Sequence, residues 1–393
     1  MTPAARVQSA IELLDSVITA ARTKGPPADR LLAEWFRGHR FAGSKDRRAI
    51  RELVYAAIRA CGPLPESGRA AMLRLAQSDA ALAGLFDGSN YGPAPIEPGE
   101  TAAAGGIAEQ WLVERLAASD IAGPEAEALL DRAPLDIRVN TLKAERATLH
   151  LPVPARPIEA PNGLRLPSGT ALDQWAEYRE GLVEVQDGGS QLACGAVAAK
   201  PGETVIDLCA GGGGKTLALA AAMENSGALV AADTDRRRLS QLAPRAERAG
   251  AVVARTVLLD PGRETEALAE WAGRADAVLV DAPCSGTGTW RRNPEARWRL
   301  TPDDLERFAA TQAQILDIAA TLVRPGGRLI YVTCSLLDAE GAGQAEAFLA
   351  RHPGWSALAP VLPLGRARGT GARLTPFHDG TDGFFIARLE KPC

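Results

Sequence analysis

Two cysteines of this 393-residue chain stand just beyond apolar runs that read as β-strands: Cys284 in DAPCSGTGT (residues 281–289) and Cys334 in YVTCSLL (residues 331–337). A single cysteine is usually a small buried hydrophobe, and Cys61, Cys194, Cys209 and Cys393 read that way. Two on neighbouring strand ends, beside Asp281, read instead as a reactive set, because a thiolate is a nucleophile. The six cysteines form no CxxC pair and have no histidine partners at ligand spacing, so neither disulfides nor a metal site is expected.

A third segment, DLCAGGGGKT (Asp207–Thr216), joins a predicted strand to a predicted helix. Its four glycines let the backbone approach a ligand closely, and the helix N-terminus favours an anionic group. A phosphate loop of the form GxxxxGK[ST] would need glycine where Cys209 stands, and a dinucleotide loop would begin with glycine where Asp207 stands. The next strand ends at Asp233, placed to accept hydrogen bonds from two ribose hydroxyls, and the third is followed by Asp260, suited to an adenine amino group. Acid, glycines, acid, acid is the order of contacts expected for S-adenosylmethionine. The alternative, in which each aspartate only caps the helix that follows, stays open.

These parts suit one reaction in particular. Cytosine C5 is a poor nucleophile, and its methylation is helped by a thiolate adding to C6 while an acid near N3 neutralises the developing charge. A base then removes the C5 proton and the thiolate leaves by elimination, aided by a second thiol or a water. One nucleophilic cysteine, one acid and one helper fit Cys334, Asp281 and Cys284, and residue chemistry alone does not choose between the two thiols.

The elements that must position these residues alternate cleanly beyond Gln186: helix 187–199, strand ETVIDL, a helix from Lys215, strand GALVAAD, helix 235–249, strand AVVARTV, a short helix, strand ADAVLVD, helix 303–323, strand GRLIYVT and helix 339–351. Repeated βα units predict a doubly wound, mainly parallel sheet. The last apolar run, GFFIARLE, is expected to pair antiparallel at an edge. Upstream, residues 134–184 read as a small mixed α/β subdomain: a strand at Asp136–Asn140 leading into a helix, then short strands around GLRLP and GLVEVQD.

Residues 1–86 read as a helical bundle, with Val7, Ile11, Leu14, Val17 and Ile18 on one face and Ile50, Leu53, Val54 and Ile58 on another. Between them Arg37, Arg40, Lys45, Arg47 and Arg48 cluster around a short connection, where Ser44 is placed to cap the next helix. Residues 87–133 read as a Gly- and Pro-rich linker followed by connecting helices. The first 80 residues hold 13 Lys and Arg against 8 Asp and Glu, whereas the remainder holds 31 against 40, so a basic module is joined to an acidic one. TWRRNPEARWR (residues 289–299) interleaves Arg291, Arg292, Arg297 and Arg299 with Trp290 and Trp298, a pattern that suits RNA phosphates and unpaired bases, although the tryptophans suit a core equally. No apolar stretch reaches eighteen residues and no signal-like segment opens the chain, so a cytoplasmic protein is expected; a monomer is the expected state, although nothing in the sequence fixes it.

DLCAGGGGKT, DAPCSGTGT and VTCSLL, in that order and spacing, resemble the RsmB/Nop/Sun family of RNA 5-methylcytosine methyltransferases. The likeness extends from IRVNT (residues 137–141) through VQDGGSQ (residues 185–191) to TDGFFIARLEK (residues 381–391), and FAGSKDRRAIRELVYAAIR resembles the NusB-like RNA-binding domain of the bacterial RsmB type. The resemblance implies a Rossmann-like class I methyltransferase domain over residues 185–393, an all-α NusB-like domain and an RRM-like α/β subdomain. It implies Cys334 as nucleophile and Cys284 as the residue assisting product release. Cys209, Ala210, Gly211, Gly212, Gly213, Gly214, Lys215, Asp233, Arg238, Asp260 and Asp281 would contact S-adenosylmethionine, with Lys215 organising the site through Asp281 or the base. Gly211 and Gly212 stand where the family's loop commonly carries Ala and Pro, which loosens the free loop but removes no chemical group, so cofactor binding is expected to persist. The implied substrate is RNA, 16S-type ribosomal RNA first. A transfer RNA substrate and a non-catalytic RNA-binding assembly factor are the alternatives, and a nucleotide hydrolase using GGGGKT is a third.

Overall fold

A computed structural model describes residues 1–393. The chain divides into two compact units, Met1–Asp131 with Thr289–Thr301, and Arg132–Gly288 with Pro302–Cys393. Residues 134–184 share a unit with the large sheet, and the segment from Thr289 to Thr301 belongs to the helical unit.

In the helical unit, Pro3–Arg22 starts where Thr2 accepts a hydrogen bond from Ala5 N at 3.2 Å and Pro3 occupies the first turn. It packs with the helices Ala28–Gly38, Ser44–Ala60 and Gly68–Ala76 around the expected apolar faces, with Leu53 only partly buried. Ser44 is not the cap. Gly43 is, and the Asp46 carboxylate three residues on accepts from Gly43 N at 3.1 Å while pairing with Arg6 at 2.8 Å. The Gly/Pro-rich residues 87–106 pack along the bundle: Gly62 N donates to Ala104 O and Ala103 N to Ala70 O, both at 3.0 Å, and Arg69 pairs with Glu100.

TWRRNPEARWR plugs this bundle, which overturns its reading as an RNA-facing segment. Trp290, Arg291, Arg297 and Trp298 are buried and Arg299 is partly buried. Arg297 donates to Ile58 O at 2.7 Å and to Cys61 O, at the end of helix Ser44–Ala60. Arg299 donates to Gly25 O and Pro26 O at 2.7 and 2.8 Å, just past helix Pro3–Arg22, and Glu295 accepts from Ala28 N at 3.0 Å, the first residue of the next helix. Cations thus sit at helix C-termini and a carboxylate at an N-terminus, each satisfying orphan backbone groups and complementing the helix dipole. Burial lowers the Arg297 pKa to about 9, with Cys61 and Glu295 opposing. Arg297→Met is expected to destabilise the protein by about 3 kcal/mol, since two buried carbonyls lose charged donors; denaturant titration against wild type measures it, and an unchanged midpoint would contradict the plug.

The second unit opens with four strands, β1 Leu135–Val139, β2 Arg156–Pro157, β3 Gly163–Leu166 and β4 Val183–Val185, in an antiparallel sheet of order β2-β3-β1-β4. The helix expected after β1 is a run of turns instead. Asn140 explains it: its Oδ1 accepts from Leu142 N at 3.2 Å, and its Nδ2 is held by Gly181 O and Ala249 O at 2.8 and 2.7 Å.

The large sheet follows: β5 Thr204–Asp207, β6 Ala228–Asp233, β7 Arg255–Leu258, β8 Ala275–Asp281, β9 Val323–Thr333, β10 Ser356–Leu358, β11 Arg366–Arg368, β12 Gly371–Leu374 and β13 Phe384–Glu390. Its order is β11-β12-β13-β9-β8-β5-β6-β7, with β10 also on β13, and β5 to β9 are mutually parallel. Successive residues face opposite sides. Ile206, Val230, Val278 and Leu329 pack towards helices Pro302–Leu322 and Ala342–Arg351, and Val205, Leu229, Ala277 and Ile330 towards helices Gly188–Ala196 and Gly214–Ala222. Burial on both faces is why these strands read as continuous apolar runs.

Two local expectations are corrected. β13 pairs antiparallel with β9 as expected, but it is interior, because β12 and β10 cover its other edge. Helix 235–249 is two pieces, Arg236–Leu239 and Leu242–Ala249, since Pro244 cannot donate within a continuous helix and belongs in a first turn. No helix is long and apolar enough to cross a membrane.

Candidate functional site

From β5 the chain runs outward through β6 to β7, and on its other side lie β8 and β9, so the order reverses between β5 and β8. In such sheets the crevice at the strand carboxyl ends, at that reversal, is where ligands sit. The Gly-rich segment follows β5, Asp233 ends β6, Asp260 lies past β7, Asp281 ends β8, Cys284 lies three residues on, and Cys334 follows β9.

The loop after β5 requires its glycines. Gly211 and Gly213 have φ of +53° and +86°, and a Cβ there would stand 2.4 Å from Arg238 Nη2 and 2.3 Å from Leu242 Cδ1. Arg238, itself exposed, therefore lies against Gly211. Arg245 holds the neighbouring residue, donating to Gly212 O at 2.6 Å. Glycine at 211 and 212 is thus matched to two arginines rather than left loose.

The aspartates are not helix caps. Asp233 accepts from Gly211 N and Asp235 N, both at 2.7 Å, so it ties β6 to the loop, while Asp235 caps the next helix through Arg238 N. Asp260 is exposed and its carboxylate bonds to nothing in the protein, leaving it available to a ligand. Asp207, fully buried, accepts from Thr216 Oγ1 at 2.6 Å, and burial pushes its carboxyl up to about 7. A carboxyl held above its unfolded value keeps a proton that the unfolded chain has released. Stability should therefore fall as pH rises from about 4 to about 7 and level off above; Asp207→Asn is expected to flatten that part of a denaturation-versus-pH curve, and an unaltered curve would count against it.

Lys215 Nζ meets Asp281 Oδ2 at 2.5 Å and lies 5.8 Å above the Phe384 ring. Burial would lower the ammonium's pKa, but Asp281, with Cys194 and Asp207 adding to it, outweighs burial and the net shift is upward. Lys215 is therefore a fixed cation spent on Asp281, not one left free for phosphoryl oxygens as a nucleotide hydrolase would need.

The two thiols meet: Cys284 Sγ and Cys334 Sγ are 3.4 Å apart, brought together by the parallel pairing of β8 and β9. The hydrogen bond to Cys334, then burial, raises the Cys284 pKa well above the ordinary thiol value. Burial likewise pushes Cys61 and Cys194 up to about 11 and raises Cys209 well above the ordinary thiol value, as expected of inert thiols. Cys393, read as buried, is exposed.

One residue essential to this geometry escaped the sequence reading. Glu340, fully buried, accepts from Ser285 N at 2.9 Å, Ser335 Oγ at 2.6 Å, Gln312 Nε2 at 3.2 Å and Ser285 Oγ. Ser285 and Ser335 each follow one of the cysteines, so a single carboxylate cross-braces both loops. Thr287 completes the brace, accepting from Leu336 N at 2.8 Å, and Gly288 N donates to Cys334 O at 2.9 Å. The repeated Cys-Ser dipeptide was the available signal for the serines; nothing in LLDAEG marks Glu340.

Residues 195–390 match the family described as 16S rRNA methyltransferase RsmB/F. Ribosomal RNA small subunit methyltransferase B of Xylella fastidiosa is 38% identical over 294 residues, 72% of this chain and 68% of that protein. The protein of the same name from Thermus thermophilus is 41% identical over 212 residues, 53% of this chain and 50% of that protein. The aligned part thus spans between half and about two thirds of these relatives. One solved structure, 26% identical, covers the whole chain with a TM-score of 0.76, and a methyltransferase homologue from Pyrococcus horikoshii, 26% identical, covers 72% of this chain and 99% of its own with a TM-score of 0.60.

Proposed function

We propose, because the chain belongs to the 16S rRNA methyltransferase RsmB/F family, that it methylates C5 of a cytidine in RNA, small-subunit ribosomal RNA first, through a transient bond from Cys334 to cytosine C6. The observation that carries this is the pair of thiols in contact at 3.4 Å, one of them three residues past an aspartate already paired with a lysine. A non-catalytic binding factor has no use for two braced, touching thiols.

The residues fit S-adenosylmethionine: a glycine cradle that side chains would fill, Asp233 at the second strand end, and an unspent Asp260 carboxylate. When bound, that cofactor supplies a methyl group on a sulfonium, which an activated C5 takes up. Cys209 to Lys215, Asp233, Arg238, Asp260 and Asp281 are the residues that would hold it.

In contact with Cys334 Sγ at 3.4 Å, Cys284 would donate a hydrogen bond that stabilises negative charge there. The Cys334 sulfur adds to C6, forming one C–S bond and shifting electron density onto C5 and N3. Asp281 fixes the Lys215 ammonium at 2.5 Å, and that positive charge would offset the density developing toward N3. Once C5 carries the methyl, a base removes the C5 proton, the C6–S bond breaks and the electron pair returns to Cys334. Cys284, three residues past Asp281 and in contact with the leaving sulfur, assists that departure by restoring its hydrogen bond.

The brace makes a further expectation. Glu340→Gln puts an amide donor where either Ser285 N–H or the two serine hydroxyls need an acceptor, so the thiols should drift apart; a shift of about 1 Å costs roughly 100-fold in turnover. The comparison is turnover against calorimetric affinity for S-adenosylhomocysteine, which should hold. Equal turnover would remove Glu340 from the site.

The proposal is tested by bisulfite sequencing of total RNA from cells with and without the gene. Loss of protection at one small-subunit cytosine is the expected result. Loss in a transfer RNA would move the substrate, and unchanged protection at every cytosine would contradict the reaction.

A further inference from the structure

A buried arginine that makes no ion pair of its own lies behind the Gly-rich loop. Arg138 on β1 is 5% exposed, and its one hydrogen bond runs from Nε to Gln186 Oε1 at 2.8 Å. Its two terminal nitrogens donate to no protein group, yet neither is sealed from solvent. An isolated buried cation is costly unless paired, and Arg always carries its charge.

The neighbouring carboxylates are already spent. Glu184, opposite Arg138 on β4, serves Arg245 at 3.1 Å and also Arg248. Asp136, two residues back on the same face of β1, holds Arg165 through two bonds of 2.6 and 2.8 Å and also accepts from Gly188 N. Three guanidinium groups thus share one carboxylate. Burial lowers the Arg138 pKa and the Arg245 charge adds to this, with Cys194 and Glu184 opposing.

The cluster abuts the candidate site. Arg245 bridges Glu184 to Gly212 O of the loop, and Gln186 Nε2 reaches Cys194 Sγ at 3.4 Å, a thiol that in turn interacts with Lys215.

We infer that Arg138 is an anion-binding residue of this site, its free guanidinium edge taking paired anionic oxygens of a bound reactant. Planar bidentate recognition is what a guanidinium does for carboxylate and phosphate alike. Two sources supply such oxygens under the reading above, on which this inference rests: the carboxylate of the cofactor's amino-acid end and a backbone phosphate beside the target cytidine.

Affinities for S-adenosylhomocysteine and for 5′-methylthioadenosine, which lacks the carboxylate, are compared by calorimetry in wild type, Arg138→Gln and Arg138→Lys. Affinity for a small-subunit ribosomal RNA transcript is followed from 50 to 200 mM salt in the same three proteins. A carboxylate source predicts that Arg138→Gln loses at least about tenfold in S-adenosylhomocysteine affinity and none for methylthioadenosine, with Lys restoring part. A phosphate source predicts unchanged affinity for both small ligands and a salt slope smaller by about 0.9 in Arg138→Gln. Folded variants with neither change overturn the inference, as does an equal loss for both small ligands with a lowered melting temperature, the mark of a structural role. Wild type that binds S-adenosylhomocysteine while the variants behave identically overturns this inference alone; wild type that binds neither ligand nor RNA overturns the proposed function with it.

Discussion

Cys334→Ser is expected to lower turnover by about four orders of magnitude or more while leaving the fold and cofactor affinity in place, the size of loss seen when a sole nucleophile is removed. A hydroxyl is nearly isosteric with the thiol, so the brace through Ser335 and Glu340 and the contact with Cys284 survive in shape. What vanishes is nucleophilicity: a serine hydroxyl ionises far above neutral pH and no base is within hydrogen-bond reach to activate it. Methyl incorporation into small-subunit RNA measures the effect, with S-adenosylhomocysteine calorimetry as the control. Turnover within tenfold of wild type would reverse the roles given to the two thiols.

Cys284→Ala should produce the opposite kind of defect. Addition at C6 and methyl uptake proceed, but the sulfur leaving C6 loses the thiol that meets it at 3.4 Å. The protein–RNA adduct then outlives its formation and accumulates to a large fraction of the enzyme. A denaturing gel displays it as a slow-migrating species that disappears in the Cys284→Ala, Cys334→Ser double variant. An adduct that persists in the double variant, or one seen equally in wild type, would contradict the assignment.

How much of this was legible beforehand follows from which interactions are local. β5, β6, β8 and β9 could be read because each is an apolar run closed by a glycine loop, an aspartate, a Pro-Cys or a Thr-Cys step, all within a dozen residues, whereas β7 lies later than AVVARTV suggested, at Arg255–Leu258. That Cys284 and Cys334 touch followed from neighbouring strand ends alone. TWRRNPEARWR misled because arginine and tryptophan suit a helix end as well as a phosphate or a base. The distinguishing partners, Ile58 O, Cys61 O and Gly25 O, lie more than 230 residues away. Glu340 was invisible for the same reason, since its importance lies in two serines on separate loops. Pro244 was a readable break that the periodicity of 235–249 concealed, and Asn140 diverted an expected helix through bonds to Gly181 and Ala249. Arg138, inside IRVNT, looks like half of an alternating strand until its neighbours' carboxylates are seen to be engaged.

The central claim is a covalent bond from Cys334 to C6 of the cytosine being methylated, and a small-subunit RNA transcript carrying 5-fluorocytidine tests it most directly. Fluorine at C5 cannot leave as a proton does, so the elimination step is blocked and the adduct is held. With S-adenosylmethionine present, peptide mass spectrometry is predicted to find a methylated fluorocytidine attached at Cys334. Attachment at Cys284, or methyl transfer to unmodified RNA by protein that forms no adduct with the fluorinated one, would contradict the account.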